Sequence, residues 1–264
     1  MKRGLVAVVA VLLVAPGSAP GQGAAAQAVE GRLEPRRSVA IGAQVNGTVA
    51  QVLVEEGDRV REGQLLARID PAKYRARLEE AQARVRKARA VAKESARELE
   101  RQKKIYNRGL SARHDLEIAQ RDAARDRAEV EAAQAAVRQA RVDLEYTEIR
   151  APMSGVVAKR NVHSGETVIA NLQPPLLFRL ASPLDRLDVV VRVREGLVAG
   201  LETGQEVRVE FPALKGPERT GKVVRIARVP EEDPDGAPAY PVRVRVPNGQ
   251  ERLRPGMKAR VLFE

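Results

Sequence analysis

Cysteine and tryptophan are absent from the 264 residues, and aromatic residues make up 3% of them. The first absence excludes a disulfide framework, a thiolate metal site and an anchor built on a lipid-modified cysteine. The second removes the flat rings on which single-stranded bases stack. That matters because the chain is basic, with 46 Lys and Arg against 35 Asp and Glu and a net charge of +11. Such a balance raises nucleic acid or anionic lipid as partners; without stacking platforms, nucleic acid is not expected. Histidine is scarce too: His114 and His163 stand alone, at a helix start and in a β-turn. A metal site needs three or four converging ligands, so no metal is expected. No nucleophile–base arrangement and no Gly-rich phosphate loop occurs. The sequence reads as a protein with no catalysis and no cofactor.

What the chain does have is one long periodic stretch, Pro71 to Tyr146. Tyr74, Leu78, Ala81, Val85, Ala88, Ala92, Ser95, Leu99, Gln102 and Tyr106 recur at alternating steps of four and three. Leu116, Ala119, Ala123, Asp126, Val130, Ala133, Val137, Ala140 and Leu144 do the same. This is a heptad seam, the pattern that wraps helices into a left-handed supercoil. Asn107-Arg108-Gly109-Leu110-Ser111 interrupts it, with Gly109 for the turn and Ser111 as a candidate N-cap. The expectation is a hairpin of two antiparallel helices, roughly 50 Å long at about 1.5 Å per residue. Along it 19 basic and 13 acidic residues are interspersed, as on solvated coiled-coil flanks.

Short β-branched runs lie on both sides. Ser38 to Val45, Thr48 to Val54 and Gln64 to Ile69 precede the hairpin, and Tyr146 to Ile149 and Val156 to Val162 follow it. The two flanks repeat each other. A shift of 108 positions superimposes Gly47 on Gly155, Val49 on Val157, Ala50 on Ala158, Val54 on Val162, Gly57 on Gly165 and Val60 on Val168. Glycines at fixed offsets point to the same permissive backbone at the same turns. Two half-sheets that each expose an apolar face bury it by packing together. The halves are therefore expected to form one small β-sandwich, with the hairpin inserted between them. Beyond Pro175 come alternating runs, among them Leu187 to Arg194, Val207 to Phe211 and Tyr240 to Val246. Five or six such strands predict a small β-barrel.

At the N-terminus Lys2 and Arg3 precede the eleven-residue apolar run Leu5 to Ala15, and Ala26-Gln27-Ala28 has a small-x-small pattern. That is an export signal. Its run is short of the roughly twenty residues of a membrane span, and the competing reading is an uncleaved N-terminal segment that holds the chain at the inner membrane. The expected organisation is thus a signal at 1–28, a polar unpatterned lead-in and first half-motif at 29–70, the hairpin at 71–145, the second half-motif at 146–175 and the barrel at 176–264. In class the fold is α+β and elongated.

A repeated β half-motif split by a coiled coil and followed by a β-barrel resembles the periplasmic adaptor (membrane fusion) proteins of tripartite efflux pumps. The pieces that carry the likeness are Ile41-Gly42-Ala43-Gln44-Val45-Asn46-Gly47, Val54-Glu55-Glu56-Gly57-Asp58-Arg59-Val60 and Leu144-Glu145-Tyr146-Thr147-Glu148-Ile149-Arg150-Ala151-Pro152-Met153-Ser154-Gly155. The first block, the second half-motif and Gln173-Pro174-Pro175 are most similar to MacA-type adaptors, which serve ABC transporters. The resemblance implies a lipoyl-like domain and a homo-hexameric funnel in the periplasm, with an inner-membrane transporter of ABC or RND class and an outer-membrane TolC-type channel as partners. Its channel-contacting tip would comprise Arg101, Ile105, Gly109, Leu110, Ser111 and Ala112. Such tips carry an Arg, a Leu four residues on and a Ser seven beyond; Arg101 and Ile105 match, but the third position is Ala112, with Ser111 one residue early. Many adaptors continue into a membrane-proximal domain, and this chain is expected to end at Glu264 without one. Gly47, Gly57, Gly155 and Gly165 are expected to be structural turn glycines. True biotinyl or lipoyl carriers present a lysine at a tight turn between the half-motifs; here the coiled coil replaces that turn. The rival from another class is an envelope coiled-coil protein that binds anionic surfaces.

Overall fold

The computed structural model describes residues 27–170, 175–214, 218–233, 235–249 and 252–263. The export signal falls outside them, apart from Gln27 and Ala28. In chain order the elements are β1 (Gln27–Pro35), β2 (Ser38–Gly42), β3 (Gly47–Val52), β4 (Arg59–Val60), β5 (Leu65–Ile69), α1 (Ala72–Asn107) and α2 (Arg113–Glu145). Then follow β6 (Glu148–Arg150), β7 (Gly155–Arg160), β8 (Thr167–Val168), β9 (Leu176–Ala181), β10 (Arg186–Arg194) and α3 (Glu195–Val198). The last are β11 (Glu206–Glu210), β12 (Arg219–Ile226), β13 (Glu231–Glu232), β14 (Pro238–Pro247) and β15 (Lys258–Phe263). Two compact units result: Leu33–Asp188 with Arg245–Met257, and Val189–Val244 with the stretches before Leu33 and after Met257.

The first unit holds the sandwich and the hairpin. Its two four-stranded sheets run β2-β9-β7-β4 and β6-β5-β3-β8. Each sheet mixes strands from both repeats, because β4 pairs with β7, β3 with β8 and β5 with β6. Neither half is a sheet by itself. Equivalent residues do equivalent work: Val49 and Val157, Val54 and Val162, and Val60 and Val168 are all buried in one core with Leu66, Ile69, Leu177 and Phe178. Burying a valine or leucine fully is worth roughly 1.5–3 kcal/mol, so the pooled core supplies what neither half could.

The backbone repeats the symmetry. Gly57 N–H donates to Val157 O at 2.9 Å, and 108 positions on Gly165 N–H donates to Val49 O at 2.8 Å. The return bonds match, from Val157 N–H to Asp58 O at 2.9 Å and from Val49 N–H to Glu166 O at 2.8 Å. Within each turn a carboxylate accepts from the residue three before it: Asp58 Oδ2 from Glu55 N–H at 2.8 Å and Glu166 Oε2 from His163 N–H at 3.0 Å. The glycines divide by cause. Gly57 and Gly165 have φ of 96° and 86°, the left-handed region that side chains disfavour. Gly47 and Gly155 open β3 and β7 instead, and a Cβ on Gly155 would lie 2.0 Å from Ala181 O. These two are needed for close approach, not for a turn.

Besides the turn role expected of Gly47 and Gly155, two further sequence expectations are corrected. The stretch from Val29 to Arg37 is no unpatterned lead-in: β1 pairs antiparallel with β15, Gln27 opposite Phe263 and Arg32 opposite Lys258. Its signal was a weak alternation, Val29, Gly31 and Leu33 against Glu30, Arg32 and Glu34. The strand Leu176–Ala181 pairs with β2 and β7 in the sandwich, so sandwich residues continue past 175. In the second unit the strand order is β10-β1-β15-β11-β12-β14-β13, and β10 also pairs with β14, which closes six strands into a barrel. Val191, Val209, Val223, Val244 and Val261 are buried there, as their alternation with Arg and Glu requires.

Adding a methyl group separates the two glycine types. Gly57→Ala and Gly165→Ala meet no neighbouring atom, so each should cost only the left-handed strain of about 1–2 kcal/mol. Gly155→Ala should cost more, because backbone blocks it. Urea midpoints of the three variants check this ordering.

Candidate functional site

The sandwich sets the hairpin's base. The chain leaves it after Ile69 and returns at Thr147, and Ile69 N–H donates to Thr147 O at 2.8 Å. Thr147 is buried, its hydroxyl bonded to Leu144 O at 2.6 Å at the end of α2. Asp70 Oδ1 accepts from Ala72 N–H at 3.0 Å and satisfies one of the free amides at the start of α1. Tyr74, read as the first seam residue, donates its hydroxyl to Asn46 O at 2.7 Å. Asn46 in turn accepts from Ala170 N–H through Oδ1 at 2.6 Å. The arm is thus tied to both repeats at its root.

Along the arm the seam changes character. Near the base it is apolar and small: Val85, Ala88 and Ala133 are buried, with Val130 and Val137 packed against them. Towards the tip it is polar, through Ser95, Gln102 and Asp126. Asp126 is 8% exposed and accepts from Arg125 Nε at 2.9 Å. That hydrogen bond, then the Asp126 charge, holds the Arg125 pKa above the usual guanidinium range. A polar residue at a seam position fixes register at a cost in stability.

At the tip α1 stops in a Schellman motif. Gly109 has φ of 72°; its N–H donates to Tyr106 O at 2.8 Å and Leu110 N–H to Ile105 O at 3.2 Å. The backbone so turned leaves Leu110 75% exposed. Ala112 stands at the N-cap of α2, with no side-chain cap bond, so the expectation that Ser111 caps is corrected. The Ser111 hydroxyl lies 3.4 Å from Gln102 Oε1 across the hairpin and 3.3 Å from Asp115 Oδ2. Ile105 is half-buried. Arg101 is exposed and pairs with Glu98 on its own helix; Glu98 also accepts from Gln102 Nε2 at 2.8 Å. Reading the sequence missed Glu98, although its spacing to Arg101 and Gln102 is the usual helical neighbour spacing. Among the described residues no cluster of His, Cys, Asp and Glu could hold a metal, and no helix is long and apolar enough to cross a membrane.

This architecture has known relatives. A family model described as RND MFP, barrel-sandwich hybrid domain, matches residues 37–179, from the residue before β2 into β9. The chain belongs to the membrane fusion protein family. A second model, CusB-like, beta-barrel domain, matches residues 188–264. Macrolide export protein MacA of Yersinia pestis is 33% identical over 248 residues, covering 89% of this chain and 66% of that protein. Pyoverdine export membrane fusion protein PvdR of Pseudomonas aeruginosa is 32% identical, covering 88% of this chain and 68% of its own. The chain thus spans about two-thirds of the length of these relatives. A solved MacA-MexA chimera containing the Pseudomonas aeruginosa MexA alpha-hairpin domain matches with a TM-score of 0.71 at 26% identity, over 92% of this chain and 83% of the chimera.

Removing the seam carboxylate tests its cost. Arg125 is exposed, so Asp126→Leu strands no buried charge and should stabilise the hairpin by about 1 kcal/mol or more. A rise in the thermal midpoint is expected; a fall would show that Asp126 contributes net stability.

Proposed function

We propose that this chain is the periplasmic adaptor subunit of a tripartite pump. It links an inner-membrane transporter, probed first as a MacB-like ABC transporter, to an outer-membrane TolC-type channel for efflux of drugs or other small molecules. The observation that carries the reading is the arm itself. Its root is pinned to both repeats, and it ends in a turn that presents Leu110 to solvent. An exposed leucine on a defined turn is a feature for packing against another surface, and the exposed Arg101 offers a planar fork of donors nearby. Its pairing with Glu98 does not oppose this, since exposed ion pairs are worth about 0–1 kcal/mol and exchange partners readily. The role is mechanical: the chain couples two membrane proteins and catalyses nothing. Relatives named for macrolide export and pyoverdine export support an export role.

An RND transporter is the second reading for the inner partner. What supports it is the description of the family model matched by the sandwich, RND MFP. Expression with each transporter class in a pump-deficient strain separates the two.

In that strain Arg101→Asp and Leu110→Asp should each lower drug resistance severalfold while helical content by circular dichroism stays unchanged. Resistance equal to that of the unaltered chain would remove the tip from the contact.

A further inference from the structure

The barrel reaches back into the export signal. The small-x-small pattern Ala26-Gln27-Ala28 puts a cut after Ala28. Yet Gln27 and Ala28 are the first two residues of β1, opposite Phe263 and Leu262 of β15. β1 is an interior strand of the barrel, between β10 and β15. A cut after Ala28 takes away both partners, although Phe263 is buried. It also makes Val29 the first residue. Val29 is half-buried and stands opposite the fully buried Val261. A new α-ammonium group would then sit on partly buried backbone, where a charge is costly. A second pattern lies just upstream. Ala24-Ala25-Ala26 has alanine at the same two positions, and its cut falls between Ala26 and Gln27. The chain then opens where β1 opens and keeps every residue that pairs with β15. Gln27 and Ala28 are both exposed, so the ammonium group stays in water. The upstream pattern is also the nearer of the two to the apolar run Leu5 to Ala15.

We propose that a signal peptidase hydrolyses the Ala26–Gln27 bond, so that the working chain opens with Gln27. The proposal rests on reading the N-terminal stretch as an export signal, and it names the bond that is cut. Water gives its hydroxyl to the Ala26 carbonyl carbon and a proton to the Gln27 nitrogen as the bond between them breaks. The new acid then loses its proton, and no other reactant is consumed. The partner of β1 is the last strand, so β1 stays unpaired until the end of the chain has crossed the membrane. Both patterns are open to the peptidase before that. Sequence and position therefore make the choice, and folding afterwards locks the Ala28 pattern into the sheet. The cut leaves the apolar run behind. The chain is then held at the inner membrane by its partners and not by its own N-terminus.

Mass spectrometry of the full chain, expressed with its own signal and purified from the cell envelope, tests the site. The N-terminal tryptic peptide should run from Gln27 to Arg32, with Gln27 free or cyclised by loss of ammonia. Two variants separate the patterns. Ala24→Lys alters only the upstream one and should remove the Gln27 start. Ala28→Lys alters only the downstream one, at an exposed position, and should be cut as the unaltered chain is. A Val29 start in the unaltered chain, or a Gln27 start that survives Ala24→Lys, would overturn the proposal. Uncut chain in the inner-membrane fraction, open to protease added from the periplasmic side, would also overturn it and would show an N-terminal tether. Uncut chain in the cytoplasm would defeat the export reading itself. Drug resistance conferred by a chain that starts at Val29 would defeat the site and leave the adaptor reading standing. A Gln27 start without resistance would support the site and count against the adaptor reading.

Discussion

Four reciprocal backbone hydrogen bonds hold this protein's first unit together. Gly57 and Asp58 exchange bonds with Val157, and 108 positions on Gly165 and Glu166 exchange the same bonds with Val49. A half-repeat of a few short strands would expose one apolar face and its strand edges, and such pieces are marginal in water. Exchanging strands solves both problems at once, because each sheet is completed by the other repeat and the valines of both fill one core. The glycines follow from this. Two reach the left-handed turn that aims an amide across the sandwich, and two let strands pass where any Cβ would collide.

The arm inherits its order from that clasp. An isolated pair of helices fixed only by an alanine-rich seam would have little apolar area to hold it, since alanine buries few methylenes. Here Ile69 and Thr147 hold the two helix roots together, and the Tyr74 hydroxyl fixes the first turn of α1 on Asn46. The composition of the seam then changes outward. The apolar seam near Val85 and Val137 gives way to Ser95, Gln102 and Asp126, which set register without adding much stability.

Much of this was legible in the sequence, and for definable reasons. Heptad spacing gave the hairpin because apolar side chains every 3.5 residues have no other economical packing. The glycine-marked repeat showed that the flanks belong together because backbone requirements leave few substitutes. What failed was read from neighbours along the chain when the cause lay far away. The strand from Gln27 was hidden because its partner is the last strand, more than 200 residues on, and only half its side chains need be apolar. Ser111 had the right chemistry for a cap, but the Schellman turn at Gly109 sets the phase of α2 and puts Ala112 at that position. At the site, the exposed leucine and Arg101 were visible by type and place. The engagement of Arg101 by Glu98 lies within one helix and follows from their spacing of three.

Amide hydrogen exchange tests the clasp most directly. If the repeats are one body, the amides of Val49, Gly57, Val157 and Gly165 should exchange together, with one free energy of opening and the same dependence on urea. Protection that persists at Gly57 and Val49 while Val157 and Gly165 exchange freely, or the reverse, would show two separable halves and contradict the account.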